Sequence, residues 1–246
     1  MNVVFIPGAT SGIGLGLALR LHAEGKTVVV GGRRTELLER IAAEHPGIGT
    51  VTIDITDPAS ITAARDDLAT RFPGLDTLIT MAGIMEPEDL RDPASLEVAE
   101  RTVEVNLLGP IRLITAFLPG LLTQPAATVM TVSSGLAYVP LPATPTYNAT
   151  KAAVHSYTES LRVQLTGSNV RVIELVPPAT RTTLMGQQNS EVAMPLDDFL
   201  DEVMSLLRAD PKAEQILVER VKWQRNAVAE GRYSDVLTVL SGRYRS

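Results

Sequence analysis

The sequence predicts an α/β fold with a doubly wound parallel sheet, and three features of its 246 residues carry that expectation. Short β-branched apolar runs recur along the chain. Amphipathic segments of helical length separate them. A glycine-rich turn follows the first run.

The runs are "VVFI" (3–6), "TVVV" (27–30), "TVTI" (50–53), "TLIT" (77–80), "TVMTV" (128–132) and "VRVIELV" (170–176). They are nearly continuous rather than alternating, as strands covered on both faces are. Segments such as "ELLERIAAEH" (36–45) and "PASITAARDDLATRF" (58–72) have helical length and spacing. Strand–helix–strand repetition implies right-handed crossovers and a parallel sheet. No Pro/Gly/Ser linker divides the chain, so one domain is expected over 1–246. Further on, "DDFLDEVMSLL" (197–207) reads as a helix and "EQILVE" (214–219) as a last strand. Residues 220–246, with "VKWQRNAVAE" and "SDVLTVL", read as a short helical C-terminal extension.

Composition narrows the partners. The net charge of −6 argues against nucleic acid or an anionic membrane as a bulk partner. The absence of cysteine excludes disulfides and thiolate metal sites. His22, His45 and His155 are too scattered for a metal cluster. The N-terminus reads as a strand rather than a signal peptide. "LITAFLPGLL" (113–122) is too short to span a membrane. A cytoplasmic location is expected.

The first run leads into "PGATSGIG" (7–14) and then the apolar "LGLALRL". Glycines allow a tight turn and close backbone approach. The following helix offers unpaired N–H groups and a positive dipole end. Immediately after the first strand of a parallel sheet, Gly8, Gly12 and Gly14 therefore suit a diphosphate. The bland alternative is an ordinary strand–helix turn.

Tyr147 and Lys151 stand four residues apart, so they share a helical face. A free tyrosine titrates near about 10, and a nearby ammonium favours the phenolate. Lys151 is therefore expected to lower the Tyr147 pKa toward a working acid/base range. The competing reading is that Tyr147 only packs.

The chain resembles the short-chain dehydrogenase/reductase family, which has a Rossmann-like sheet. The glycine spacing G-x-x-x-G-x-G is that family's, "LITMAG" (78–83) stands where it has its N-A-G strand, and "NLLG" (106–109) matches its N-x-x-G helix. "VSSGLAYVPLPATPTYNATK" (132–151) matches its Y-x-x-x-K block, with Ser134 thirteen residues before Tyr147, and "VPPATRT" (176–182) its P-G-x-x-x-T segment. The tail looks like a bacterial branch that includes oxidoreductases encoded with D-alanyl-lipoteichoic acid genes.

The resemblance implies hydride transfer between a nicotinamide cofactor and a carbonyl or secondary alcohol of a small molecule. It assigns the catalytic roles to Asn106, Ser134, Tyr147 and Lys151. Tyr147 moves the proton, Ser134 steadies the oxygen, Lys151 also bonds the nicotinamide ribose, and Asn106 holds a water relaying protons through Lys151. Ser133 is a cofactor-side or structural neighbour. The implied cofactor-binding set is Gly8, Thr10, Ser11, Gly12, Ile13, Gly14, Arg33, Arg34, Asp54, Ile55, Ala82, Gly83, Tyr147, Lys151, Pro177 and Thr182. No metal is implied.

"VVVGGRRTEL" (28–37) bears on which nicotinamide. An acidic residue at the end of the second strand would bond a ribose 2′-OH. Gly32 stands there, followed by Arg33 and Arg34, whose guanidinium groups suit a 2′-phosphate. NADP(H) is expected over NAD(H). The alternative is a solvated helix start whose arginines pair Glu36 or Glu39. Asp54 resembles the family's adenine-amine acceptor; as a helix cap, Asp57 fits better.

Three residues depart from the family pattern: Pro7, Met81 and Pro178. A Pro7–Met81 contact would replace a hydrogen bond between the first and fourth strands. Residues 177–213 are expected to form a substrate lid region, with the polar "ATRTTLMGQQNSEVAMPL" (179–196) mobile. Arg181 reads either as a substrate-anion contact or as a surface charge. Leu113, Phe117, Val154 and Leu161 exceed what one sheet face needs, and family members pair through these helices. A homodimer or homotetramer is expected. The rival function is a non-catalytic dinucleotide sensor on the same fold, and an epimerase-like relative is a third reading.

Overall fold

The apolar runs become strands because their β-branched side chains fit a pleated surface buried on both sides. In the computed structural model, which describes residues 1–245 and side chains through residue 242, seven strands form. They are β1 Val3–Pro7, β2 Thr27–Gly32, β3 Gly49–Thr52, β4 Thr77–Thr80, β5 Ala127–Val132, β6 Val170–Leu175 and β7 Gln215–Ile216. Between and after them lie α1 Gly12–Ala23, α2 Thr35–Glu44, α3 Pro58–Arg71, α4 Ser95–Val103, α5 Gly109–Leu121, α6 Pro145–Gln164, α7 Leu196–Ala209, α8 Lys222–Arg225 and α9 Tyr233–Arg245.

The sheet order is β3-β2-β1-β4-β5-β6-β7. Parallel registers such as Val4↔Val28 and Val4↔Thr77 place β1 between β2 and β4. The order reverses direction there, and the crevice beyond such a switch point is where ligands bind in doubly wound sheets. This is the Rossmann-like architecture that the sequence predicts.

The chain forms two compact units: Met1–Ala82 with Leu108–Thr131 and Ser160–Ile173, and Gly83–Leu107 with Val132–Glu159 and Glu174–Ser246. In the first, Phe5, Leu17, Leu78, Leu113 and Ile114 are buried, and the Phe5 and Phe117 rings lie 5.3 Å apart. In the second, Val139, Ala227, Val236 and Leu240 form a cluster that joins the C-terminal extension to the segment after β5. Asp57 caps α3 by accepting from the Ala59 N–H at 2.8 Å, with Pro58 opening the helix.

Three expectations change. The last strand is two residues rather than six; a 3₁₀ turn follows from Glu219, whose N–H the Glu202 carboxylate accepts at 2.6 Å. Of "VKWQRNAVAE", Val221 closes a 3₁₀ turn and only Lys222–Arg225 is α-helical; Gly231, at φ +68°, belongs to the turn before α9. Leu113, Phe117, Val154 and Leu161 are all covered within the chain itself, so they make no case for a partner. Among the described residues, no helix is long and apolar enough to cross a membrane, and no cluster of ligand residues could hold a metal.

Candidate active site

In the first unit the glycine turn is too tight for side chains. Gly8 has φ +87° and Gly12 φ +55°, where a Cβ is strained. A Cβ on Gly8 would lie 2.4 Å from the Ala82 Cα, and one on Gly14 would lie 2.8 Å from the Ala9 Cα and 2.9 Å from the Met81 Cγ. Met81 thus packs beside Gly14. Ser11 starts α1 in extended conformation without a side-chain cap, so the first N–H groups of the helix, from Gly12, Ile13 and Gly14, are left for a ligand. These features fit a diphosphate at the positive end of a helix dipole.

Thr10 ties this turn to the end of β2. The Arg34 Nη2 donates to Thr10 Oγ1 at 3.0 Å, and a Cβ on Gly32 would come within 2.6 Å of Thr10 Cγ2. Arg33 is exposed, its Nη1 4.0 Å from Asp54 Oδ2. The arginines therefore turn toward Thr10 and Asp54 rather than Glu36 or Glu39. Asp54 Oδ1 accepts from the Thr56 N–H at 3.0 Å and its hydroxyl at 2.8 Å. Burial pushes this carboxyl up, but the Thr56 bonds and the Arg33 charge outweigh it and hold the pKa below the usual value. Ile55 is buried beside it. No acidic side chain stands at the end of β2.

In the second unit, Ser134 and α6 converge. Ser134 stands two residues beyond β5 and accepts from the Leu136 N–H at 3.1 Å, while the Gly135 N–H donates to the Pro177 carbonyl at 2.9 Å. A Cβ on Gly135 would lie 2.5 Å from Gln224 Oε1, so the C-terminal extension packs directly on this turn. Tyr147 is buried and hydrogen-bonded to Ser134. Lys151, equally buried, donates from Nζ to the Val132 carbonyl at 2.8 Å and lies 5.5 Å from the Tyr147 ring centroid.

The electrostatics correct one expectation. Burial drives the Tyr147 phenol up to about 12, and the Ser134 hydrogen bond offsets this only in part. Lys151 does not lower it. Burial likewise pulls the Lys151 ammonium down to about 8, because both groups lose solvation together. At neutral pH the site thus holds a protonated phenol beside a charged amine.

Asn106 lies in a π-helical turn, Glu104–Leu108, of the kind that marks functional sites. Its Oδ1 accepts from the Ile84 N–H at 2.8 Å and its Nδ2 donates to the Ile84 carbonyl at 2.7 Å. A Cβ on Gly83 would approach Asn106 Oδ1 to 3.3 Å and Lys151 Nζ to 3.9 Å, so these three residues meet at one place. Thr182 instead accepts from the Leu184 N–H at 3.3 Å, and Arg181 Nε donates to the Ser190 carbonyl at 2.8 Å. Paired strands of backbone, Arg181 N–H to Met194 O and Met194 N–H to Ala179 O, both 2.8 Å, close the base of this loop. Its tip holds Met185 at φ 56°, a strained value for a side chain.

Two anchors went unread in the sequence. Glu88, buried, accepts from the Thr146 N–H at 2.9 Å and the Thr146 hydroxyl at 2.6 Å, capping the helix that carries Tyr147. Glu174, buried in β6, binds Ser133 and His155. A carboxylate inside the apolar "VRVIELV" was the available signal, since buried acids need partners.

Comparison with known proteins identifies the family. The short chain dehydrogenase family model matches residues 2–193. The chain is 38% identical over 184 residues to an uncharacterized oxidoreductase, DltE, of Bacillus subtilis, covering 74% of this chain and 73% of that protein. It is 30% identical over 222 residues to sulfoacetaldehyde reductase 2 of Chromohalobacter salexigens, covering 87% and 86%. A short chain dehydrogenase from Burkholderia cenocepacia, solved in complex with NADP, superposes with a TM-score of 0.80 at 26% identity, over 94% of each chain. With its parallel sheet, its glycine turn and its Ser134–Tyr147–Lys151 cluster, the chain belongs to the short-chain dehydrogenase/reductase family and is an NAD(P)-dependent oxidoreductase.

Proposed function

We propose that the protein is an NADP(H)-dependent oxidoreductase interconverting a carbonyl and a secondary alcohol of a small molecule, with Tyr147 as its acid/base. The observation that carries this reading is the buried Tyr147 hydroxyl, bonded to Ser134 and one helical turn from Lys151. Hydride exchange with the substrate carbon is the chemistry that a bound nicotinamide supplies. Tyr147 keeps its proton until substrate oxygen needs it, and gives it in the reducing direction. Ser134 donates to the same oxygen. Lys151 brings positive charge to the Tyr147 side of the site and reaches the nicotinamide ribose. Asn106 fixes the Ile84 backbone and so the wall beside Lys151, where it also holds a relay water. Gly8, Thr10, Ser11, Gly12, Ile13 and Gly14 would hold the diphosphate with Ala82, and Gly83 would be a further cofactor contact. Asp54 and Ile55 would flank the adenine, and Pro177 and Thr182 the carboxamide.

Gly32, Arg33 and Arg34 support a 2′-phosphate, and the similar Burkholderia cenocepacia protein was solved with NADP. A reductase of sulfoacetaldehyde among the relatives supports a carbonyl substrate. Residues 177–213 act as the lid, pinned at the Ala179/Arg181–Met194 base. The single-domain reading over 1–246, a homodimer or homotetramer on the family resemblance alone, and a cytoplasmic location on the cysteine-free acidic composition complete the proposal.

The test is NADPH oxidation against a panel of aldehydes and ketones. Tyr147→Phe keeps the ring and removes the hydroxyl, so turnover falls by roughly 10²–10⁴-fold while cofactor affinity holds. Lys151→Ala lowers both. Nearly full turnover in Tyr147→Phe would show that Tyr147 only packs.

A further inference from the structure

Glu174 is fully buried, yet its carboxylate is completely paired. One oxygen accepts from Ser133 Oγ; the other accepts from His155 Nδ1 at 2.9 Å and Gln215 Nε2 at 2.6 Å. The surrounding groups come from every neighbouring element. Tyr138, after β5, places its hydroxyl 3.2 Å from His155 Nδ1 and accepts from Gln215 at 3.0 Å. Arg225, on α8, stacks 4.6 Å from the Tyr138 ring centroid and donates to Gln215 Oε1 at 3.1 Å. Glu159, on α6, lies 3.7 Å from His155 Nε2.

Two of these partners border the site. Ser133 precedes Ser134, and its own N–H donates to the Leu175 carbonyl at 3.0 Å. His155 continues the Tyr147, Lys151 spacing by one more turn, so all three share one face of α6. The carbonyl that Lys151 grips belongs to Val132, the residue before Ser133. A single carboxylate therefore holds the end of β5 and the reactive face of α6 at once.

We propose that Glu174 is a positioning residue: by binding Ser133 and His155 it sets Ser134 and Lys151 in register beside Tyr147. The inference rests on the catalytic reading above. A buried acid in a filled network is a rigid anchor, because moving either segment would leave a charged group unpaired. Burial raises the Glu174 pKa, but the His155, Ser133 and Gln215 bonds outweigh it and keep the carboxylate ionised, and the Glu174 bond in turn raises that of His155. Both shifts favour a charged Glu174–His155 pair.

The test follows Lys151 itself and needs no substrate. Isotope-coded acetic anhydride labels neutral amines, and mass spectrometry resolves Lys26, Lys151, Lys212 and Lys222 separately across pH 6–10. In the parent, Lys151 titrates near 8, the value its burial sets. In Glu174→Gln and the milder Ser133→Ala, loosened segments admit water, and the Lys151 titration moves up by about one unit or more. Ser133→Ala gives the answer if Glu174→Gln does not fold. Variants that melt earlier but leave Lys151 titrating as in the parent would overturn the proposal, since a merely stabilising network changes melting alone. Turnover of 4-nitrobenzaldehyde with NADPH, measured alongside, separates the two readings. A parent inactive on every carbonyl tried would count against the proposed activity, while the lysine titration still decides the role of Glu174.

Discussion

The Lys151 ammonium donates to the Val132 carbonyl at 2.8 Å. The bond joins the middle of α6 to the end of β5 and buries a charge that ordinarily stays in water. Its cost is visible in the Lys151 pKa of about 8, well under the 10.5 of a free lysine.

That cost should appear as pH-dependent stability. Between about 8 and 10.5 the folded chain binds fewer protons at Lys151 than the unfolded chain does, so this residue makes stability rise with pH across the window. Below it, the buried charge is a standing penalty. Lys151→Met should therefore be more stable than the parent at pH 7, by about 2 kcal/mol after the lost hydrogen bond is subtracted. The gap should close as pH climbs toward 10. Urea unfolding of both proteins at pH 7 and 10 checks this, and a less stable variant at pH 7 contradicts it.

The two arginines after β2 should behave differently. Arg33 is exposed and only loosely paired with Asp54, so Arg33→Ala should weaken NADPH binding about tenfold and leave NADH nearly unchanged. Arg34 braces Thr10 in the glycine turn, so Arg34→Ala should weaken both cofactors. Fluorescence titration of each cofactor reads the difference. A parent that prefers NADH would defeat the 2′-phosphate assignment.

Thr80, in β4, has a buried hydroxyl without a hydrogen-bond partner. Thr80→Val keeps the shape and removes the unsatisfied group, so the variant should gain about 1 kcal/mol in stability. Thermal melting with a denaturant series measures it; a loss of stability would mean the hydroxyl is satisfied in solution.

Gly8→Ala should do the reverse. The backbone stands at φ +87° and the new methyl would meet the Ala82 Cα at 2.4 Å. Strain and overlap together should cost roughly 2–4 kcal/mol and abolish NADPH binding. A variant that binds NADPH like the parent would remove the glycine turn from the cofactor site.

The sequence alone determined the sheet and the outline of the site, because both are local. Hydrophobic runs report strands through a period of two or through double-sided burial, and β1–β6 lie within two residues of the runs that predicted them. Glycine spacing reports a backbone that must pass through positive φ, as Gly8 and Gly12 do. Tyr147 and Lys151 share a face because four residues is one helical turn. What Lys151 does to Tyr147 was decided only in three dimensions. Spacing along a helix gives proximity, but burial of both groups set the pKa values, and it moved the phenol up rather than down. The same holds for Leu113 and Phe117, whose excess apolar character was absorbed inside the chain by contacts that include Phe5. Glu88 and Glu174 are the clearest cases. Glu88 caps a helix 58 residues away and Glu174 binds a serine 41 residues away, and no local pattern carries such pairings, since only the folded chain brings a buried carboxylate to the donors that make it tolerable.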